Sequence, residues 1–443
     1  MTEHLYRNID RRRLLMASLA GLAGFAFPPV YLRAQGGEGY SGKLLVTLQL
    51  DGGADVTQLC DPKVNVKGEP IINKWADTKD PSSAGNIRYA PIADHQRLFE
   101  RFGRDMLVVN GVDTQTNSHA TGILYNWTGS NAEGRPSLTA LHAAYSSPEQ
   151  PLAYAVYGGL SRTAGIITYN RFDNLEHLRT LSKPRVNAWD GSLKRPASEL
   201  EQAHSLVSRE VADLLSQPSL SARQRLNLAR FSESRERRGN LEILAELIPP
   251  EDQIMRREDF SAGGQNMSSN LKQQMQGALL VFKSGLGVSA DLALGGFDTH
   301  ENHDEQHQAL YTHLADALYF FWDYAEELGV ADRILMVIGS DFGRTNFYNE
   351  GNGKDHWPIG SYMVIEKDAP WGNRVVGLTD ELHFATPIDP QSLKASSRGL
   401  VMTPGHINQA LREYLGIDGY AADLGHQLSI ASLPLFDPFK SSI

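Results

Sequence analysis

"KLLVTLQLDGGADV", residues 43–56, runs mostly apolar from Leu44 to Leu50 and then stops on an acid and two glycines. A run that short reads as a strand buried on both faces, and Gly52 and Gly53 end it. The pattern recurs in "DMLVVNGV" (105–112), "VSADLALGGFDTH" (288–300) and "RILMVIGSDFGRT" (333–345). "PLAYAVYGG" (151–159), "AGIITYN" (164–170), "PIGSYMVI" (358–365) and "RVVGL" (374–378) are weaker strand candidates. Between them, "LKQQMQGALLVFKSGLG" (271–287), "EQHQALYTHLADALYFFWDYAEELG" (305–329) and "TPGHINQALREYLGI" (403–417) carry helical periodicity. Thr403 would cap the last of these, with Pro404 in its first turn. Apolar strands alternating with amphipathic helices predict an α/β fold: a mostly parallel central sheet with helices on both faces. Residues 197–257 turn charged and leucine-spaced, which predicts a helical insertion with a solvated face.

In such sheets, ligands bind beyond the carboxyl ends of the strands. Asp51 follows "LVTLQL", Asp298 and His300 follow "LALGGF", and Asp341 follows "ILMVIGS". Asp355 and His356 stand just before another strand, and Asn117, Ser118 and His119 mark the start of a helix. Carboxylates converging at a strand mouth repel one another unless a cation sits among them. Asp and His together suit zinc or manganese; carboxylates alone suit calcium or magnesium. A hydroxyl at Ser118 in the same space would be activated by an ion and favoured as an anion by the helix start. Arg344 either grips an anionic substrate group in bidentate fashion or pairs with Asp341 to pin the loop. His303 and His307, at helical spacing, form either a metal pair or part of an exposed acidic helix face.

Ahead of the first strand, "DRRRLLMASLAGLAGFAFPPV" places Arg11, Arg12 and Arg13 before an apolar stretch that Pro28 and Pro29 end. The stretch is too short to span a bilayer and reads as a signal peptide over residues 1–34, with the paired arginines of a twin-arginine leader. That predicts a periplasmic or secreted protein whose export partner is the twin-arginine translocase, with residues 35–443 as the folded domain. The formal charge of −10 becomes about −13 once the leader's five basic and two acidic residues are gone. That balance argues against nucleic acid, and no second apolar run is long enough for a permanent membrane span. Cys60 is the single cysteine, so no intrachain disulfide staples the fold.

"LDGGAD" with Pro62, "NSH", "GGFDTH", "SDFGRT" and "GKDHW" resemble the motif series of a bacterial exported family of unknown function. That family lies within the alkaline phosphatase and sulfatase superfamily, and the resemblance covers nearly the whole mature chain. It implies an alkaline phosphatase-like α/β/α sandwich with one or two divalent ions: zinc, manganese or calcium. One ion would take Asp51, Ser118 and Asp341, and the other Asp298, His300 and His356. The superfamily's usual Asp-to-His spacing would land on Asn302, flanked by His300 and His303, so His303 is the second candidate beside His300. Where two-metal members carry a histidine after the third aspartate, this chain has Phe342, and Asp355 is the candidate to supply the missing ligand. By the same resemblance Ser118 is the nucleophile, and His119 or Arg344 steadies the transferring group.

Two functions follow as expectations. The first is a periplasmic metal-dependent hydrolase of phosphate or sulfate esters, acting on an anionic ester substrate. The second is a non-catalytic descendant that keeps the fold as an exported binding or assembly protein. A sulfatase proper is disfavoured, since "SHATG" lacks the Pro and Arg of that class's nucleophile motif.

Overall fold

The strand beginning at Leu44 is β1 (Leu44–Asp51), and in the computed structural model it lies inside an eight-stranded sheet. The structure describes residues 40–439 apart from 184–185, 187–191, 193, 222–223, 226, 230, 233–240 and 263. The leader predicted over residues 1–34 lies outside the described residues. The other strands are β2 (Met106–Asp113), β3 (Tyr154–Val156), β4 (Asn170–Arg171), β5 (Ser289–Gly295), β6 (Ile334–Ser340), β7 (Ile359–Glu366) and β8 (Arg374–Val376). Their order is β8-β2-β7-β6-β1-β5-β3-β4. β1 runs parallel to both β5 and β6, and only β7 is antiparallel to its neighbours, β6 and β2. The sheet is therefore mixed and mostly parallel, as the alternation of strand and helix predicts.

Alternation along β1 divides the core in two. Val46, Leu48 and Leu50 join one apolar cluster with Leu279 of α4 (Leu271–Lys283) and with Leu314 and Phe321 of α5 (His303–Glu327). Leu45 joins the other with Trp127 of α1 (His119–Thr128) and with Ile407 and Leu411 of α6 (Pro404–Tyr414). Period-two side chains on a fully buried strand require apolar partners on both faces, which is why the helices form two layers. Pro404 opens α6, and the Thr403 amide donates to His406 Nδ1 at 3.0 Å, closing the cap. Within residues 197–257 the described parts are helical at α2 (Ala197–Ser216) and α3 (Leu241–Leu247), followed by a hairpin of Glu258–Ala262 against Gln265–Ser269. Among the described residues, no helix is long and apolar enough to cross a membrane.

One acid sits inside the sheet itself. Asp291 of β5 is buried and accepts from Thr47 Oγ1 at 2.7 Å and from the Tyr154 hydroxyl. Burial pushes its carboxyl up to about 7, against the opposing pull of the Tyr154 and Thr47 hydrogen bonds. A carboxyl raised in the folded state stabilises fully below its unfolded pKa near 4, and that contribution is lost as pH rises toward 7. Unfolding titrations between pH 4 and pH 8 are expected to show stability falling by about 1.4 kcal/mol per pH unit at most. Asp291→Asn removes the charge and should flatten that slope; an unchanged slope would assign it to other groups.

Candidate metal centre at the carboxyl edge of the sheet

Because β5, β1 and β6 are parallel neighbours, their ends bring Asp298, Asp51 and Asp341 to one edge of the sheet. The turn after β1 is bent by Gly52 at φ +116° and Gly53 at φ +93°, values that favour glycine. A Cβ on Gly52 would lie 2.4 Å from the Asp298 amide nitrogen, so the turn also needs the missing side chain. The two glycine amides donate to Asp341 Oδ1 at 3.1 and 2.9 Å, and Gln49 Nε2 adds a third bond at 3.3 Å. Asp341 is fully buried, and its other oxygen accepts from His119 Nδ1 at 2.6 Å.

Three histidines are oriented in the same way. His119 Nδ1 faces Asp341 Oδ2, and His300 Nδ1 faces Asp355 Oδ1 at 2.7 Å. His356 Nδ1 faces the Asn117 carbonyl at 2.8 Å. Each of these acceptors needs a proton on Nδ1, which leaves the lone pair of a neutral ring on Nε2. All three Nε2 atoms turn toward Asp298. His300 Nε2 and His356 Nε2 lie 3.0 and 3.1 Å from Asp298 Oδ1 and 3.2 Å from each other, and His119 Nε2 lies 3.5 Å from Asp298 Oδ2. The ligand atoms of His119, Asp298 and His356 all fall within 4.8 Å of one another. Lone pairs converging on a carboxylate call for a cation among them. A metal-ligating histidine typically donates its second nitrogen to a carboxylate or a carbonyl, and each ring here does so. The donor set therefore fits a divalent metal.

Arg344 lies beneath this cluster, fully buried. It donates to the carbonyls of Gly52, Gly53 and Lys354 and to Asp298 Oδ1 at 2.6 Å. It thus pairs with Asp298 rather than Asp341, and it pins two loops from below instead of facing the cleft. Burial works to raise the Asp298 pKa. The hydrogen bond and charge of Arg344 outweigh it and hold the carboxyl at about 2. Asp298 is therefore ionised at neutral pH. The Asp51 carboxyl is exposed at the same mouth; partial desolvation and then the charge of Asp341 raise its pKa. Ser118 is the exposed N-cap of α1, and its side chain makes no capping bond.

His303 belongs to a second, separate network. Its Nε2 donates to Asp55 Oδ2 at 2.9 Å, and its Nδ1 accepts from Thr299 Oγ1 at 2.7 Å. His307 Nε2 accepts from the Asp55 amide at 3.2 Å, so its Nδ1 donates to Thr299 at 3.1 Å. Lys354 Nζ completes the network at 2.7 Å from Asp55 Oδ2. Asp55, His303, His307 and Lys354 are all fully buried. Burial keeps both histidines below their usual pKa, while Lys354 and His303 hold the Asp55 carboxyl well below the carboxylate range despite its desolvation. The pair at helical spacing is thus neither an exposed face nor part of the Asp298 cluster. It braces Thr299, which sits between Asp298 and His300.

Against known proteins, the chain shows one family match. Residues 194–402 match the family model described as protein of unknown function (DUF1501). No curated protein matches the chain. Among solved structures, it is similar to a protein in the alkaline phosphatase superfamily from Vibrio parahaemolyticus, at 9% identity over 85% of this chain and 66% of that one, with a TM-score of 0.35. It is similar as well to the phosphonate monoester hydrolase of Agrobacterium radiobacter, at 10% identity over 84% and 74%, TM-score 0.32. A sulfatase from a Pseudoalteromonas species aligns at 12% identity over 85% and 70%, TM-score 0.31. Likeness at this level assigns neither a reaction nor a substrate to this chain.

Of the residues singled out from the sequence, His119, Asp298, His300 and His356 converge. Asp341 and Asp355 stand behind two of those histidines, Asp51 and Ser118 stand exposed at the sheet's carboxyl edge, and Arg344 and His303 are buried beneath. Sequence reasoning placed His119 beside the substrate and missed it as a candidate ligand. It also missed Lys354, whose only signal was a lysine in the "GKDHW" motif.

Proposed function

We propose that this protein is an exported, metal-dependent hydrolase of phosphate or sulfate esters in which Ser118 is the nucleophile. The observation that carries this reading is the convergence of three tautomer-fixed Nε2 atoms on Asp298, beside a helix start whose hydroxyl is uncommitted. A divalent ion held by His119, Asp298, His300 and His356 would supply positive charge to stabilise the ester's anionic group. The chain's own part is positional. The first amides of α1 have no acceptor within the helix, so an anion at Ser118 meets unpaired N–H donors. The His356–Asn117 bond holds the nucleophile turn against the cluster. Arg344 fixes Asp298 as an anion and keeps its loop in register with the Gly52–Gly53 turn.

The second reading, a non-catalytic exported binding or assembly protein, draws on two observations. The ring of Phe342 packs on His119 and His356, with centroids at 4.8 and 4.5 Å, and Arg344 is withheld from the cleft. Metal analysis of the purified protein, followed by assay on chromogenic aryl phosphate and sulfate esters, separates the two. The hydrolase reading expects bound metal and turnover, both lost in His356→Ala. Bound metal without turnover on any ester would leave the binding role, and no metal after loading with zinc, manganese or calcium would remove the hydrolase.

A further inference from the structure

We infer that Trp357 and Phe384, with Phe347 on the neighbouring loop, form an aromatic wall that binds the organic half of the ester, and that this half carries a ring, aryl or sugar. An ester as the ligand rests on the hydrolase reading above; a wall for a ring does not.

One short ribbon sets the wall beside the Asp298 cluster. Gly343 and Arg344 run antiparallel to His356 and Trp357. The pairing continues where the Thr345 amide donates to the Asp355 carbonyl at 2.9 Å and the Asp355 amide donates to Thr345 Oγ1 at 3.1 Å. Side chains two apart on a strand share a face, about 6.6 Å from each other along it. Asp355 and Trp357 are related in this way, and Asp355 Oδ1 lies 2.7 Å from His300 Nδ1. Trp357 is thus the next side chain along the face that borders the cluster, and it is half-buried. His356, between them, bonds the Asn117 carbonyl next to Ser118.

Phe384 is brought to Trp357 by a loop pinned at its base. Asp380 Oδ1 accepts from the amides of Leu382 and Phe384 at 3.0 and 2.8 Å, and the Asp380 amide donates to the Phe384 carbonyl at 2.9 Å. Trp357 Nε1 donates to the His383 carbonyl at 3.1 Å, and the rings of Trp357 and Phe384 meet edge to face with centroids 5.2 Å apart. Asn346 Nδ2 donates to the Leu382 carbonyl at 2.7 Å, which ties in the segment carrying Phe347.

Burial in this loop runs against hydrophobicity. His383 is fully buried in the left-handed region at φ +64°. Neither of its ring nitrogens has a hydrogen-bond partner among the described residues, with Asp61 Oδ2 3.9 Å from Nε2. Phe384 beside it is 47% exposed, and Phe347 is 41% exposed. Hydrophobicity alone would bury the phenylalanine and leave the histidine in water. Strained backbone persists where its surroundings hold it, and it gathers at ligand clamps. A phenyl ring fixed by such a loop and left uncovered offers its face and edge to another ring at little cost in entropy.

Two measurements on the whole protein test this. In calorimetry, phenylphosphonate and benzenesulfonate are compared with their n-butyl counterparts; none is an ester, so none is turned over. The wild type should bind the phenyl compound of its preferred anion roughly 3–10-fold more tightly, the worth of one aromatic contact. Phe384→Ala should erase that preference, and Phe384→Tyr, which keeps the ring, should retain it. In assays on the phenyl, glucose-6 and n-butyl esters of phosphate and sulfate, Phe384→Ala should raise KM for ring esters by the same factor, with kcat and the butyl esters unchanged. A loss on phenyl esters alone names an aryl group, and a loss on glucose esters alone a sugar. If ring and open-chain compounds behave alike in both measurements, or Phe384→Ala weakens them equally, the wall falls while turnover keeps the hydrolase standing. A ring preference without turnover of any ester keeps the wall and removes the hydrolase. Neither binding nor turnover would remove both.

Discussion

Lys354→Met is expected to destabilise the folded protein by about 3–5 kcal/mol, the largest single-residue effect the structure predicts on stability. The substitution leaves Asp55 as a buried carboxylate without its cationic partner. Its remaining bonds, from Thr57 and from His303, do not supply a charge. His303 cannot take over cheaply, because burial resists its protonation. In a denaturant titration the midpoint should fall with an unchanged slope, since the fold and its buried area are retained. Asp55→Asn combined with Lys354→Met removes both charges and should recover much of the loss. If the double variant is no better than the single one, the penalty belongs to packing around Lys354 and not to a stranded charge. Because Lys354 adjoins Asp355 and its carbonyl accepts from Arg344, the single variant should also weaken metal binding below its unfolding midpoint.

Ser118→Ala is expected to abolish ester hydrolysis, with turnover falling on the order of 10⁴-fold or more, as for loss of a nucleophile elsewhere. Its effect on stability should be small. The side chain is exposed and makes no capping bond, so no hydrogen bond in the fold is lost. Metal content should be unchanged, since the cluster is built from His119, Asp298, His300 and His356. That combination, full metal and no turnover, separates a nucleophile from a ligand. Comparable turnover in Ser118→Ala would assign the attack to water, and the exposed hydroxyl would then be a bystander.

Much of the edge was legible because a buried strand must end somewhere. "LVTLQLD", "LALGGFD" and "MVIGSD" each end on an acid, and parallel neighbours bring such ends together whatever the helices do. The direction of β7 was not legible. "PIGSYMVI" is equally apolar in either direction, and only its pairing with β6 and β2 shows that it runs against them. The part of Asp341 was hidden for a related reason. An acid after a strand reads as a ligand, and the hold that the amides of Gly52 and Gly53 have on Asp341 comes from a stretch remote in sequence. With Asp341 fixed, His119 has its proton placed and its other nitrogen turned to Asp298. His303 misled in the opposite sense: Asp304 and Glu305 beside it suggested a wet helix face, whereas its partners Asp55 and Lys354 come from distant segments and take it into the interior.

The four residues around the cluster reach it from three stretches of chain, with Asp298 and His300 on one loop and His119 and His356 on two others. An unfolded chain therefore offers no preformed site, and affinity for the proposed ion would arise only as these stretches meet. Binding and folding are then thermodynamically linked: every tenfold rise in free ion above its dissociation constant adds about 1.4 kcal/mol to the folded state. Under the proposed export of an already folded chain, the ion would be chosen from the pool of the compartment where folding finishes, not from that where the protein resides.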